Sequence, residues 1–481
     1  MIHSSVRSLV SRAESSLGHG RINHALLLVH DFVERIFTEP ICTAQVFSSE
    51  DLDQLCLKIG RRSFADLNAS QIAACSDLNN RQVVVYLVSR LQRSGGHSRL
   101  VQDFILSQPE KTHLILSTEV GGPSDEKYLS ERFASVDNVR FMRAPRGDFQ
   151  TRLNWMQSAL LASQPEHVHL FNHHQDSVAV SALVPELELI GSFQHHGDHH
   201  LCLGAHMRHL THVDFHPMGY HYCRHELGVN NVYLPLTFED KLCTTGHSGF
   251  SRGGSLTTAT AARSNKVEIP YYVSYIELIP EIIGITGGKH IHIGKLTPWA
   301  LSRVYKKMRR MGIKKERFVY IEWSPSVWNS LHENMVDVYL ASFPYGAALT
   351  LVEAMGAGIP VVMHQHMQSR VLSGLEMAYP EAFRWTEPEE LLTHLAKLTP
   401  ETLEHEKKLS RLRYERFHRP VILRNYLRGS NSSQLPVPPL ASEFKPRYDE
   451  WAAWAESQLN MPRLLYRFAY RAWRKLRRMV S

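Results

Sequence analysis

Short apolar runs alternate with longer mixed segments along most of this chain, and this alternation limits the folds open to it. Each run has the length of a buried strand, and most of the segments between them can hold a helix. Strands that alternate with helices form a parallel sheet covered on both faces. The first series of runs is VVVYLV (83–88), THLILS (112–117), VRFMRA (139–144), HVHLFN (167–172), LELIGSF (187–193), HVDFHP (212–217) and VYLPL (232–236). The second series is LTTATA (256–261), HIHIGKL (290–296), RFVYIEW (317–323), VDVYLASF (336–343) and PVVM (360–363).

Two series predict two doubly wound α/β domains, with ligands in the cleft between them at the carboxyl ends of the strands. The segment between the series is rich in Ser, Thr and Gly and poor in large apolar residues, which is typical of a linker. The predicted parts are an N-terminal helical region (1–80), a first Rossmann-like domain (81–240), the linker (241–265), a second Rossmann-like domain (266–430), and a linker with a C-terminal amphipathic helix (431–481).

Composition is that of a large intracellular globular protein. The chain has 481 residues, of which 43% are hydrophobic and 21% charged, so it can bury a sizeable core. It has no run of 18 apolar residues and no apolar N-terminal segment, so we expect neither a membrane span nor secretion. The six cysteines include no C-x-x-C pair, which favours reduced thiols in a cytoplasmic protein.

The positive charge of the chain is concentrated at its C-terminus. Residues 462–481 carry seven basic side chains and no acidic one, which equals the net charge of +7 for the whole chain. The rest is balanced, so we expect no nucleic-acid partner. On a helical projection the arginines of this tail share one face and apolar residues the other, which is typical of a helix bound to an anionic membrane surface. The alternative is a helix that packs across the protein.

The run VDVYLASFPYGAALTLVEAMGAGIPVV (336–362) combines an apolar strand, a tight turn, a helix at 348–357 and a second strand. The helix N-terminus presents free backbone N–H groups and a positive dipole end, so it favours a phosphate. Glu353 is a lone acid on an otherwise apolar helix, and a carboxylate there needs a partner such as a ribose hydroxyl pair. The run therefore predicts a site for a diphosphate and a ribose.

This run resembles the donor-binding segment of GT-B glycosyltransferases, including the O-GlcNAc transferase-like and retaining hexosyltransferase branches. The resemblance implies two Rossmann-like domains facing across a cleft, and a UDP-linked nucleotide-sugar donor as substrate. The matching residues that would bind the donor are Tyr345, Gly346, Ala348, Leu349, Thr350 and Glu353.

Two positions depart from the retaining hexosyltransferases. That branch has a second Glu eight residues before the one matched by Glu353, and here this residue is Tyr345. Its second basic residue is replaced by Trp299. Both differences argue against the retaining branch, so we expect inversion at the anomeric carbon.

Two further segments of the second domain resemble phosphate-binding elements of the same family. Ser264, Asn265 and Lys266 follow a predicted strand and are similar to the G-S-x-x-K element. In the run HIHIGKL (290–296), Gly294 and Lys295 stand at a predicted strand end and resemble the G-R-L element. A lysine at either place could neutralise the leaving diphosphate without a metal. For each lysine an ordinary exposed side chain is the alternative.

The first predicted strand leads into SRLQRSGGHSRLVQDFI, which resembles the G-G-x-x-R loop of the first GT-B domain. Gly95, Gly96 and Arg99 match it. Glycines let backbone approach a ligand closely, and the helix that starts near His97 favours an anion at its N-terminus. A plain strand–helix turn is the alternative.

The segment QHHGDHHLCLG (194–204) places four histidines and an aspartate at the end of a predicted strand. Such side chains are seldom buried without partners. The pattern resembles the H-x-D-H element of bacterial glycosyltransferases, and a histidine oriented by an aspartate can take a proton from an acceptor hydroxyl. A metal site and a cluster of surface histidines are the alternatives. The candidate catalytic residues are His196, Asp198 and His199.

Together the patterns favour a hexosyl- or N-acetylhexosaminyltransferase. The expected acceptor is a hydroxyl of a surface glycan or lipid-linked saccharide at the cytoplasmic face of the inner membrane, held close by residues 462–481. We expect the nucleotide-sugar to be a substrate, and we expect the enzyme to need no cofactor and no metal. A protein acceptor, a GT-B-like sugar epimerase and a binding protein without catalysis are the alternatives.

Overall fold

The computed structural model describes most of the chain, with gaps in the N-terminal third, near residue 245, at 347 and 430–434, and at the C-terminus. The C-terminal helix predicted within 431–481, with the basic tail 462–481, lies almost wholly outside the described residues. The described residues are 2–38, 44–68, 71, 83–93, 95–134, 136–241, 250, 254–346, 348–429, 435–458, 465, 469 and 472.

Seven strands form the first sheet, and all their pairings are parallel. From the central first strand the chain adds two strands toward one edge of the sheet. It then returns to the centre and adds four strands toward the other edge. The strands are β1 (Val83–Val88), β2 (Thr112–Ser117), β3 (Val139–Arg143), β4 (His167–Phe171), β5 (Gly191–His195), β6 (Thr211–Asp214) and β7 (Asn231–Tyr233). Their order is β3-β2-β1-β4-β5-β6-β7.

The central strand β1 explains how helices cover both faces of this sheet. All six of its side chains are buried, and they alternate between two hydrophobic clusters. Val83, Val85 and Leu87 face one side, whereas Val84, Tyr86 and Val88 face the other.

Three N-terminal helices, α1 (Ile2–Gly18), α2 (Ile22–Thr38) and α3 (Glu50–Ala65), pack on the first of these sides. The helices that connect the strands are α4 (Gly96–Leu106), α5 (Glu126–Phe133), α6 (Phe149–Ser163), α7 (Ser177–Ala182) and α8 (Pro217–His225).

Six parallel strands form the second sheet, with the same winding. Their order is β10-β9-β8-β11-β12-β13, so β8 is the strand from which the chain runs outward. The strands are β8 (Thr258–Ala261), β9 (His290–Ile293), β10 (Phe318–Ile321), β11 (Val338–Leu340), β12 (Val361–His364) and β13 (Arg384–Trp385). The helices are α9 (Ser264–Val267), α10 (Tyr275–Thr286), α11 (Pro298–Arg310), α12 (Val327–Glu333), α13 (Leu349–Gly356), α14 (Arg370–Ser373) and α15 (Pro388–Lys397).

Two helices after the second sheet, α16 (Pro400–Phe417) and α17 (Pro420–Leu427), return to the first domain. The last described helix, α18 (Tyr448–Ser457), lies beside the second domain, where the rings of Trp454 and Tyr271 are 6.1 Å apart. The Tyr414 hydroxyl of α16 donates to the Phe238 carbonyl at 2.7 Å, and His418 Nδ1 donates to the Leu236 carbonyl at 2.7 Å. The two domains are therefore joined by this crossing segment as well as by the chain between them.

The predicted pair of doubly wound domains is confirmed, but some boundaries differ. Strand β8 matches the predicted run 256–261 but lies inside the range that was also assigned to the linker (241–265). Its four small residues are all buried, between β9 and β11. Strand β5 begins at Gly191 and ends at His195, later than the predicted run 187–193. The short edge strand β13 was not predicted. Within the described residues no helix is long and apolar enough to cross a membrane.

Candidate active site

Adjacent strands of the first sheet bring separate histidines together. Strands β1, β4 and β5 are neighbours, so the loops at their carboxyl ends meet at one edge. The β1 loop contributes His97, the β4 loop His173 and His174, and the β5 loop His196 and the residues after it. The ring centroids of His97 and His173 lie 4.8 Å apart, and those of His174 and His199 also 4.8 Å.

His97 and His196 are joined ring to ring. His97 Nδ1 lies 2.9 Å from His196 Nε2, and His196 Nδ1 lies 3.0 Å from the Gln194 carbonyl oxygen. A carbonyl only accepts, so His196 carries its proton on Nδ1, and its Nε2 accepts from Nδ1–H of His97. His97 Nε2 then bears a lone pair, and it has no hydrogen-bond partner among the described residues.

Both rings of this pair are neutral at physiological pH. Burial lowers the pKa of His97 well below its usual value, and the neighbouring His196 and His173 lower it further. Burial also lowers the pKa of His196 to about 4, against the opposing effect of the Gln194 carbonyl. At neutral pH the buried Nε2 of His97 is therefore unprotonated, as a general base must be.

Asp198 does not orient His196, because its hydrogen-bond partner is His216. Its Oδ2 lies 2.7 Å from His216 Nδ1, at the start of α8. The carboxylate packs so closely on α8 that a Cβ at Gly219 would lie 2.5 Å from Asp198 Oδ2. Asp198 therefore fixes the β5 loop to α8, and His196 is oriented by Gln194 and His97 instead.

The histidines of the first domain face the second domain across the cleft. The rings of His200 and Tyr345 lie 6.1 Å apart. Burial lowers the pKa of His199 well below its usual value, and the charges of His174, His200 and Lys266 add to this effect. Hence Lys266 and Tyr345, from the loops after β8 and β11, lie opposite the histidine cluster.

Lys266 is a half-buried cation on the wall of the second domain. Its Nζ donates to the Gly346 carbonyl at 3.0 Å, and it forms no ion pair with a described carboxylate. Burial lowers the pKa of its ammonium group to about 8. The Gly346 N–H donates to the Leu372 carbonyl at 3.1 Å, so this amide is not free for a ligand. Lys266 is thus the group best placed to receive an anion here.

Helix α13 opens toward the same loops. Its N-cap residue, Ala348, has no side chain that could cap the helix, and Leu349 begins the first turn. Thr350 Oγ1 accepts a hydrogen bond of 2.9 Å from the Tyr339 hydroxyl, which secures this turn to β11. The helix terminus therefore retains backbone N–H groups that no side chain caps.

Glu353 lies one turn further along α13, with only 6% of its surface exposed. Its Oε2 accepts the backbone N–H of Trp328 at 3.1 Å, at the start of α12. Burial raises the pKa of Glu353 to about 7, while that N–H and the charges of Arg99 and Lys241 act in the opposite direction. The carboxyl group is therefore poised between its two protonation states at neutral pH.

The Arg99 guanidinium is already paired within the first domain. Its Nε lies 2.9 Å from Asp103 Oδ1, and its guanidinium lies 4.9 Å above the ring of Phe238. Its charge still lowers the pKa of Glu353 in the second domain. Gly95 precedes α4 with a φ of +135°, a conformation that favours glycine, and Gly96 is the first residue of the helix.

The remaining residues predicted for the donor site lie at its rim. Ser264 N–H donates to the Lys295 carbonyl at 2.8 Å, which joins the loops after β8 and β9, and Asn265 next to it is exposed. Lys295, after Gly294, forms an ion pair of 3.1 Å with Glu322, and both side chains are more than half exposed. Such a pair is weak, and Lys295 already has a partner.

Sequence reasoning did not assign a role to His97, although it placed a helix start there. The only signal was a histidine directly after the glycine pair of the first loop. The contact with His196 spans 99 residues of sequence, and no local pattern reveals it.

Comparison with known proteins gives structural similarity only. No protein-family model matches the sequence, and no curated protein is significantly similar to it. The structure is similar to HepE of Anabaena in complex with UDP and glucose, with a TM-score of 0.54 and 11% identity over 73% of this chain and 99% of HepE.

Two other glycosyltransferases are similar over nearly the same part of the chain. For the apo form of the lipopolysaccharide outer core galactosyltransferase WaaB, the TM-score is 0.51 at 14% identity, covering 72% of this chain and 98% of WaaB. For a glycosyltransferase of Rickettsia africae the TM-score is 0.54 at 10% identity, covering 73% and 98%. The chain therefore has the GT-B fold, as the resemblance of residues 336–362 implied.

Proposed function

We propose that this chain is a metal-independent glycosyltransferase. It transfers a hexosyl or N-acetylhexosaminyl group from a UDP-linked donor to a hydroxyl of a surface glycan or lipid-linked saccharide. The observation that carries the proposal is that the two domains place complementary groups on opposite sides of a GT-B cleft. Neutral histidines stand on one wall, and the ammonium of Lys266, without a described carboxylate partner, stands on the other.

In this proposal the second domain holds the donor. Lys266 and the uncapped N-terminus of α13 bind the diphosphate, because both offer positive charge or free N–H groups. Glu353 accepts hydrogen bonds from the ribose, beside the N–H of Trp328 that it already accepts. The charge that develops on the leaving diphosphate is stabilised by Lys266, which performs the task that a metal performs in other transferases.

In the first domain His97 is the general base and His196 positions it. His97 Nε2 takes the proton of the acceptor hydroxyl while that oxygen attacks the anomeric carbon and the bond to the diphosphate breaks. The donor hydrogen bond from His97 Nδ1 to His196 stays intact throughout, since only Nε2 changes its protonation. Attack opposite the leaving group inverts the anomeric centre. His199 and Asp198 shape the loop around this pair.

A transfer assay with two acceptor pools tests this function. Radiolabelled UDP-sugars are offered to the purified chain with a glycolipid extract or with a protein lysate. We expect label in the glycolipid fraction with wild type, and much less label with Lys266→Ala at the same donor concentration. Label found only in protein would contradict the acceptor class, and no label from any nucleotide-sugar would contradict the transferase itself.

We also propose that residues 462–481 attach the enzyme to the cytoplasmic face of an anionic membrane. The support is their seven basic residues beside Leu465, Phe468 and Trp473. Each basic residue near anionic lipid contributes about 1 kcal/mol. Truncation after residue 460 should abolish sedimentation with phosphatidylglycerol vesicles while leaving UDP binding unchanged. Equal sedimentation of the truncated and full chains would contradict this role.

A further inference from the structure

Four buried side chains of the kinds that bind transition metals converge beneath the histidines of the cleft. His195, His212, Asp214 and Cys223 are each at most 3% exposed. Each offers one atom that can act as a ligand, and these four atoms lie within 4.8 Å of one another. His195 belongs to the histidine-rich segment 194–204, for which a metal site was an alternative, whereas the other three were not candidates. None of the four has a part in the proposed transfer reaction.

The sheet register explains why these residues meet. Strands β5 and β6 are parallel neighbours, and His195 is paired directly with Asp214. Residues two apart on a strand share a face, so His212 and Asp214 both point to the side where His195 lies. Helix α8 follows β6 at once and carries Cys223 over this face. Three consecutive elements thus supply all four side chains.

The separations of the ligand atoms fit a tetrahedral zinc ion. Zinc bonds of about 2.1 Å to nitrogen or oxygen and about 2.3 Å to sulfur give ligand–ligand distances of about 3.4 and 3.6 Å. His195 Nδ1 lies 3.2 Å from His212 Nε2 and 3.5 Å from Cys223 Sγ. Asp214 lies 3.3 Å from His212 Nε2 through Oδ2 and 3.6 Å from Cys223 Sγ through Oδ1. The 2.8 Å between His195 Nδ1 and Asp214 Oδ1 must lengthen, and the His212 Nε2–Cys223 Sγ distance lies within 4.8 Å.

Hydrogen bonds around the cluster orient the ligands as a zinc site requires. His212 Nδ1 donates to the Ala205 carbonyl at 3.2 Å, which leaves a lone pair on Nε2 toward the centre. Asn231 Nδ2 donates to Asp214 Oδ2 at 2.6 Å and holds the carboxylate in place. When His212 is neutral, this lone pair faces the Asp214 carboxylate, and a cation between the two acceptors removes their repulsion.

We propose that His195, His212, Asp214 and Cys223 bind one structural Zn²⁺ ion. Two imidazoles, a thiolate and a carboxylate in a tetrahedral arrangement favour zinc, and four protein ligands leave no open position for catalysis. The ion ties the end of β5 to β6 and α8, and so fixes the loop that carries His196. This site is independent of the donor chemistry, which still needs no metal.

Metal analysis of the purified full chain tests the site. The protein is expressed with added zinc and purified without a histidine tag or a nickel column, because its 29 histidines bind metals loosely. After dialysis we expect one zinc per chain in wild type and in Cys56→Ala, which removes a buried cysteine of α3 outside the cluster. Cys223→Ala and His212→Ala should lose the ion.

Cobalt replacement supplies a readout that does not depend on the variants folding. Co²⁺ bound to wild type should show tetrahedral d–d bands and a thiolate-to-metal charge-transfer band, and Zn²⁺ should displace it stoichiometrically. Wild type without bound zinc and without the thiolate band would overturn the proposal. Zinc that Cys223→Ala retains in full would also overturn it, because the ion would then sit elsewhere.

Discussion

His97 is the residue on which the proposed proton transfer depends. General-base catalysis contributes about 10²–10⁴-fold, so His97→Ala should lower kcat by a factor in this range with little change in the KM for the donor. His405→Ala, which removes an exposed histidine of α16, is the matched control. Steady-state kinetics with a saturating acceptor gives both constants. A kcat for His97→Ala equal to that of the control would assign the base to another residue.

The pKa of His97 also sets the pH range of the reaction. Burial lowers this pKa, so the ring stays unprotonated and able to accept a proton below the usual histidine range. We expect kcat/KM to be constant across pH 6–7 and to fall only in more acidic solution, where His97 becomes protonated. A rate that halves near pH 6.5, as for an unperturbed histidine, would contradict this environment.

The pKa of Lys266 determines how the affinity for UDP should depend on pH. Its pKa of about 8 lies below the ordinary value of 10.5, because burial disfavours the ammonium form. A bound diphosphate favours that form, so binding takes up a proton once Lys266 is deprotonated in the free protein. Affinity should be constant below pH 8 and weaken as pH rises above it. In Lys266→Arg, calorimetry should show no such loss up to pH 9.5, and an equal loss in both proteins would exclude Lys266.

At the scale of elements, Gly60 controls how α3 packs on the first domain. A Cβ at this position would lie 2.0 Å from the Ser181 carbonyl oxygen of α7 and 2.7 Å from Val184 Cγ1. Gly60→Ala should therefore lower the free energy of unfolding by about 1–3 kcal/mol, as overpacking usually does. Urea denaturation measures it. Gly18→Ala, at the open end of α1, should leave stability unchanged or slightly higher.

The elements that sequence predicts well are those with large apolar side chains. VVVYLV and THLILS coincide with β1 and β2, since both faces of these strands are covered and most of their residues are apolar. The buried His113 and Ser117 of β2 are hydrogen-bonded to Gln108 and Glu119. Strand β8 is buried through Thr and Ala, and its composition resembles that of a loop. In the run 187–193 the apolar residues at the start precede the strand, whereas Gln194 and His195 belong to it. Polar residues enter this strand beside other polar side chains, as Gln194 Nε2 donates to Ser192 Oγ at 2.7 Å and His195 lies next to Asp214.

The candidate site was predictable only where its residues are close in sequence. Helix α13 and the loop before it lie in one continuous run, so their placement followed from the pattern of residues 336–362. The pairing of His97 with His196 and of Asp198 with His216 depends on strand order and on α8, and neither can be read locally. The same limit applies to Lys266 and Lys295, whose difference in burial and partners appears only in three dimensions.

At the scale of the whole molecule, several contacts connect the two domains. Arg99 of the first domain influences the pKa of Glu353 in the second, and α16 hydrogen-bonds to residues 236–238 through Tyr414 and His418. The wall with the base and the wall with the donor site are therefore parts of one connected structure. A donor that binds between them should stabilise the whole chain against unfolding.

Titration of UDP into wild type, Lys266→Ala and Lys289→Ala by calorimetry tests the central claim most directly. Lys289 is an exposed lysine before β9, at the opposite end of the sheet from the cleft, and serves as the matched control. Loss of a charged hydrogen bond of about 1.5–3 kcal/mol should weaken binding to Lys266→Ala by about 10–150-fold. Wild type and Lys289→Ala should bind equally. Failure of wild type to bind UDP, or equal binding by all three proteins, would contradict a donor site centred on Lys266.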